Sequence, residues 1–381
     1  MTAPCFLYGS HASYHTAKTR SYLRKKGIPF VERLPSHPRF REHVRPASGN
    51  HRIPQLELAD GTVIQDSIAI ADALEALHPE PSPYPPGPRQ QIAVRLFEVL
   101  FDSWLGRPAW HYRWNFMEEN YGFVGREFGR SFKPQGSNDE IDHYGRVIAD
   151  RMEGKRAGMG AAEEVLPAFE EIYLDALRVL EAHFTTTPYL FGGLPTTADH
   201  MLMGPLFGHL ARDPVPATLM KQRAPRVFRW TEAMNTPELQ SPEFAEHELA
   251  FDAHDFVADT TRELLALCIA DCADNLVRSA EMYNEWVAEQ GEVAAGTPVS
   301  EKADEPAVGR FMATLRGREI QEPATLYPLW VLQRGLDWLA AQDDAAKQSC
   351  RSFLAELGGE ALVDIRLARP LTRNGSFIAL G

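Results

Sequence analysis

A chain of 381 residues exceeds what one hydrophobic core usually serves, so two or three domains are expected, and an apolar fraction of 44% is enough to fill them. A net charge of −13 opposes the counterion release that drives binding to DNA or RNA, which argues against a nucleic-acid partner. No apolar run is long enough to span a membrane, residues 1–9 lack the form of a secretory signal, and four cysteines without a Cys-x-x-Cys pair are too sparse to staple a secreted chain. The expectation is a soluble cytoplasmic protein with reduced thiols and no membrane partner.

In chain order, residues 5–8 form a short apolar run ending at Gly9-Ser10, which predicts a buried first strand. A helix is predicted from about Ser13, a favoured N-cap type, to Gly27, which suits the left-handed position past a helix end. Residues 28–34 read as a second strand, with Pro29 at its start where no ladder donor is lost. After a polar stretch, residues 53–58 and 62–64 read as two antiparallel strands joined at Asp60-Gly61. Asp66-Ser67 then precedes Ile68, Ile70, Ala71, Leu74 and Leu77, spaced as one apolar helix face. The order β-α-β, β-β-α is thioredoxin-like.

Charge is unevenly spread through this region. Residues 1–52 hold ten Lys or Arg against only Glu32 and Glu42, which points either to a small anionic ligand or to a solvated basic helix face.

Six prolines between Pro79 and Pro88 mark a boundary, since each removes a backbone donor and fixes φ. Helical spacing follows, with Ile92, Leu96, Val99 and Leu100 on one side and later Phe169, Ile172, Leu177 and Leu180, so an all-helical domain over 89–245 is expected after a first domain over 1–80. Residues 115–160 are rich in Gly, Arg and aromatic residues without a sustained period, which fits a helix pair or an insertion over a cleft. Thr196 and Asp199 form a capping-box variant ahead of Met201, Leu202 and Leu206. Residues 246–381 read as a mainly helical extension, with helical stretches near Leu264 and from Tyr327 to Leu339, a break at Gly358-Gly359, and a basic tail.

Taken in order, Tyr8 through Ser13, Lys18-Thr19-Arg20, Ile53-Pro54, Asp66-Ser67, and Tyr189 through Asp199 resemble a glutathione S-transferase over roughly residues 5–240. The resemblance is to bacterial, serine-type members with a long C-terminal extension. It implies glutathione as co-substrate, no metal, a hydrophobic small-molecule substrate, a homodimer and a role in detoxification.

The chemistry at such a site can be argued from the residues. A thiol with pKa near 8.5 is only a few per cent thiolate at pH 7, and the thiolate is the nucleophile. A hydroxyl at a helix N-terminus combines a hydrogen bond to sulfur with the positive end of the helix dipole. Lowering the thiol pKa by about two units corresponds to roughly 2.7 kcal/mol. Ser13 is the leading hydroxyl, Tyr8 the second and Ser10 the third; the plain alternative is that Ser13 only caps its helix. In the family resemblance Ser13 stands where similar transferases carry a serine or cysteine, although Tyr14 follows it where many have proline. Pro54 resembles the cis-proline that turns the Ile53 backbone toward an extended peptide, and Asp66 with Ser67 suits the ammonium and carboxylate of a γ-glutamyl group. Arg52, with His37 and Arg41, is a candidate to meet the glycyl carboxylate, with surface exposure without contact as the alternative.

Trp104, Trp110, His111, Tyr112 and Trp114 concentrate aromatic surface after the linker and are the expected acceptor pocket, with a hydrophobic core as the alternative. The other histidines lack metal-ligand spacing. The leading expectation is a glutathione transferase acting on a hydrophobic electrophile. The alternatives are a glutathione-dependent lyase, isomerase or thiol-disulfide oxidoreductase, and a non-catalytic glutathione-binding or scaffold protein.

Overall fold

The computed structural model of the chain describes residues 4–153, 162–301 and 307–381. Strand β1 (Cys5–Tyr8) lies parallel to β2 (Phe30–Arg33) across helix α1 (Tyr14–Lys25), which completes the expected βαβ unit. The connection out of β2 holds a π-helical turn, Phe40–Val44, that runs into the short α2 (Arg45–Ser48). Strand β3 (Gln55–Glu57) pairs antiparallel with β1, and β4 (Val63–Gln65) with β3, so the sheet order is β2-β1-β3-β4. Helix α3 (Ser67–Leu77) closes a thioredoxin-like domain around Leu7, Leu23, Leu56, Ile70 and Leu74.

Local chemistry sets these boundaries. Ser13 accepts the Thr16 N–H at the start of α1, and Gly27 takes φ +67° beyond its end. Gly61 takes φ +88° in the turn that joins β3 to β4. Strands β2 and β3 begin later than the apolar pattern, because Pro29 and Pro54 bring no donor to a ladder.

Residues 79–87 contain no helix or strand, and Pro88 occupies the first turn of α4 (Pro88–Trp114), where its missing N–H is no loss. Helices α5 (Met117–Phe132) and α6 (Asn138–Glu153) form a tight pair: a Cβ at Gly129 would fall 2.0 Å from the Ile141 carbonyl oxygen, and one at Gly145 2.4 Å from that of Gly125. Glycine is required at that contact. The helix-pair expectation for 115–160 is thus met up to residue 153, and residues 154–160 lie outside the described ones. Helices α7 (Leu166–His183), α8 (Thr197–Leu202), α9 (Pro214–Arg223) and α10 (Pro225–Ala233) follow, and the Thr196 and Asp199 capping box forms at the start of α8.

The extension holds α11 (Asp259–Glu289), α12 (Leu326–Ala340), α13 (Asp344–Ala355) and α14 (Glu360–Asp364). It also contains two antiparallel hairpins that the helical reading omits, β5 (Ala307–Leu315) with β6 (Arg318–Thr325) and β7 (Leu371–Asn374) with β8 (Phe377–Leu380). Arg316 and Gly317 both have positive φ in the first turn, and Gly375-Ser376 makes the second. Leu276, Ile320, Leu332, Leu371 and Leu380 belong to the same buried cluster as Ile92, Phe101 and Tyr173. The extension therefore shares the core of the helical domain instead of building its own.

Candidate active site

Ser13 is half-buried at the N-cap of α1, where its Oγ accepts the Thr16 N–H at 3.2 Å. That contact uses a lone pair and leaves the hydroxyl proton for a ligand. The first-turn N–H groups add the positive end of the helix dipole at the same spot. Arg113 of α4, 1% exposed, holds the loop from the helical domain by donating to the Ala12 carbonyl at 2.7 Å and the Gly208 carbonyl at 2.8 Å. Its charge is neutralised by a two-bond pair with Asp213, both at 2.7 Å.

Tyr14 is built into the same docking. Its hydroxyl donates to Asp102 at 3.0 Å, its ring lies edge-on to His209, and Gly204 and Gly208 leave room for it. Lys18, 1% exposed, donates to both oxygens of the same Asp102 carboxylate. His209 Nδ1 faces the Ala109 carbonyl at 3.0 Å, so that nitrogen carries the proton, and burial holds the imidazole neutral.

Tyr8 stands elsewhere. It is fully buried, with its phenol donating to Glu57 at 2.9 Å and accepting from Arg33 at 3.0 Å, and burial raises its pKa. This withdraws it from any ligand, so the Tyr8 alternative is corrected: β1 turns its side chain into the contact with Phe40, Ile53 and Val44. Ser10 is also buried, and its carbonyl accepts from Arg20. Part of the basic excess is spent on ion pairs within the domain, two of them from buried or half-buried cations and one from the exposed Arg39. Arg20 pairs with Glu32 at 2.6 Å, Lys26 with Glu75 at 2.8 Å, and Arg39 with Glu57.

The Ile53–Pro54 peptide is cis, and the β3 ladder begins only at Gln55. Ile53 is half-buried beside it, and the Arg52 N–H donates to Asn50 Oδ1 at 2.9 Å. Asp66 caps α3 at φ +92°, with Oδ1 accepting the Ile68 and Ala69 N–H groups at 3.0 and 3.2 Å. Ser67 follows, buried, as the first residue of the helix. Asp66 Oδ2 accepts the Tyr327 hydroxyl at 2.9 Å, and Arg373 Nη1 lies 3.7 Å from the same oxygen. Desolvation and the Lys18 charge hold the His15 imidazole down to about 4, against the opposing charges of Asp102 and Asp66.

A cavity of about 550 Å³ opens beside Tyr14 and His15. Trp110, Phe169, Leu276, Ile320 and Pro323 give it an apolar wall, and the Arg107–Glu322 pair at 2.8 Å spans one side. Of the aromatic residues expected here, Trp110 lines the cavity, whereas Trp104, His111, Tyr112 and Trp114 are buried away from it. Trp104 donates to Asp271 at 2.7 Å, His111 meets Asn115 and Glu170, Tyr112 stacks on Phe116, and Trp114 stacks on Phe128. The reason is helical geometry: Ser103, Gly106, Arg107 and Trp110 fall at i, i+3, i+4 and i+7 on one face of α4, Trp104, His111 and Tyr112 are rotated away from it, and Trp114, one turn further along, stacks on Phe128 instead. A small residue at 106 in line with Trp110 is the one local sign of this stripe in the sequence. Burial pushes the thiol of Cys272, at the cavity edge, up to about 12, so it stays protonated.

Residues 7–82 match the family model described as glutathione S-transferase, N-terminal domain, and residues 163–233 match the one described as glutathione S-transferase, C-terminal domain. No curated protein matches the chain. Similar solved structures include the beta-etherase LigF of Sphingobium sp. strain SYK-6, at 18% identity and TM-score 0.43, covering 64% of this chain and 98% of that one. A glutathione S-transferase of Methylobacterium radiotolerans, in complex with glutathione sulfonate, is 20% identical with TM-score 0.37, covering 68% of this chain and 99% of that one. Glutathione transferase GSTFuA3 of Phanerochaete chrysosporium is 18% identical with TM-score 0.43, covering 63% of this chain and 100% of that one.

Proposed function

Because the chain belongs to the glutathione S-transferase family, by its matched N- and C-terminal domains, we propose that it binds glutathione beside α1 and α3 and transfers the thiolate to a hydrophobic electrophile held in the cavity next to Tyr14. The observation that carries this reading is Ser13. Its hydroxyl keeps a proton to donate while the oxygen caps the helix, so hydrogen bond and dipole act together on a sulfur placed there. Cis Ile53–Pro54, Asp66 and Ser67 supply the frame for the rest of the tripeptide, and the wall around Trp110 supplies the apolar site.

The test is turnover. Wild type is expected to consume glutathione with an aromatic electrophile panel, and a Ser13→Ala variant with full activity would remove Ser13 from the mechanism. The long C-terminal extension, packed into the core of the helical domain, favours one second reading, a glutathione-binding or scaffold protein without turnover. Retention on immobilised glutathione with no product across the panel would select it. Product analysis separates transfer from glutathione-dependent lyase or isomerase chemistry, which would use the same thiolate.

A further inference from the structure

The γ-glutamyl end of glutathione carries an ammonium and a carboxylate on one carbon, so a site for it needs an acceptor and a donor side by side. In this chain the C-terminal hairpin reaches the place where Asp66 stands. Arg373 on β7 donates through Nη2 to Gln65 Oε1 at 3.0 Å and through Nε to the Gly375 carbonyl at 3.3 Å. Its guanidinium carbon lies 5.4 Å from the centre of the Trp330 ring. Ser376 Oγ donates to the Ser48 carbonyl at 3.2 Å and pins the hairpin to α2 as well. The guanidinium is thus held on two of its nitrogens and against an indole face, while Nη1 stays 3.7 Å from Asp66 Oδ2, in ion-pair range without a hydrogen bond.

Asp66 is half-committed in a complementary way. Oδ1 takes two helix N–H groups, and among the described residues Oδ2 takes one hydrogen bond, from the Tyr327 hydroxyl, which leaves acceptor capacity on Oδ2. Burial and the Asp66 charge keep the Tyr327 phenol protonated, so it acts as a fixed donor that orients the carboxylate.

We infer that Arg373 is a ligand-binding residue of the tripeptide site: its Nη1 takes the γ-glutamyl carboxylate while Asp66, oriented by Tyr327, takes the ammonium. This rests on the reading of the site as one for glutathione. It makes the C-terminal hairpin one wall of that site and gives the extension a role in recognition.

The experiment is calorimetric titration of the full-length chain with glutathione and with the analogue that lacks only the γ-glutamyl carboxylate, γ-aminobutyryl-cysteinyl-glycine. Wild type is expected to bind glutathione about 10- to 100-fold more tightly than the analogue, the range for a charge-assisted hydrogen bond. Arg373→Gln is expected to lose most of that preference, keeping at most the part that Ser67 supplies. Undiminished discrimination in a folded Arg373→Gln protein overturns the inference and leaves Arg373 as a hairpin anchor, and tighter binding of glutathione by that variant overturns it by making the hairpin a plug. Should the Gln variant not fold, Arg373→Lys keeps the charge and loses the planar edge, and is expected to discriminate about 3- to 10-fold less well than wild type; undiminished discrimination is again contrary. A wild-type chain that binds neither tripeptide defeats the glutathione reading itself.

Discussion

Removing the Ser13 hydroxyl tests the step from geometry to chemistry. A hydrogen bond to a charged partner contributes about 1.5 to 3 kcal/mol, which at 1.36 kcal/mol per unit raises the pKa of the bound thiol by roughly one to two units in Ser13→Ala. The dipole of α1 remains, so its share of about 0.3 to 1 kcal/mol is kept. With the wild-type thiol held about two units below 8.5, the thiolate fraction at pH 7, and with it kcat/KM, falls about 3- to 25-fold, and the deficit closes as pH rises above the new pKa. The same substitution removes the helix cap on Thr16 and costs about 1 kcal/mol of stability. Ser13→Thr restores both. The assay is the pH profile of kcat/KM together with ultraviolet titration of the thiolate in the binary complex. A Ser13→Ala profile that keeps the wild-type pKa, whatever its amplitude, refutes the assignment of the hydroxyl to sulfur.

Arg113→Gln leaves Asp213 buried without its partner and frees the Ala12 carbonyl, so a loss of about 3 to 5 kcal/mol is expected in urea unfolding, and a loss below about 1 kcal/mol would contradict the clamp. Gly208→Ala sets a methyl 2.8 Å from the Tyr14 Cα, a backbone atom that cannot step aside, and should cost about 1 to 3 kcal/mol and weaken glutathione binding. The control is Gly122→Ala on α5, which meets nothing within 4 Å and should stabilise by about 0.5 to 1 kcal/mol; equal effects at the two sites would discount the contact. Burial pushes the Asp199 carboxyl up to about 6 in the folded chain, above its ordinary 3.8, so its contribution to stability is full below about pH 4 and is lost as pH rises through 6. The stability difference between wild type and Asp199→Asn should therefore fall by up to about 3 kcal/mol from pH 4 to pH 7, and a difference that does not move with pH would count against it.

The residues that were legible in the sequence are those whose signals are local. Ser13 and Gly27 bracket α1, Asp60-Gly61 turns β3 into β4, and Asp66 caps α3, each within a few residues of what it controls. The second hairpin had a local signal too, Gly375-Ser376 between the four-residue runs that form β7 and β8, but the basic residues around it masked the short apolar strand. Tyr8 was ambiguous for a different reason: a phenol at the end of a first strand can face a ligand or the core, and the choice is made by Glu57 and Arg33, which reach it from other strands.

Sequence alone determined the thioredoxin-like order of elements, the proline boundary and the hydroxyl at the start of α1, because helix caps, turns and apolar periods act over short spans of chain. Tertiary structure decided the rest of the site. Tyr327 meets Asp66 across 261 positions and Arg373 meets Gln65 across 308, and the cavity face of α4 is selected by which neighbours cover its other sides. No periodicity reports such pairings, since they follow from how the extension packs into the helical core and not from any preference of the residues that meet.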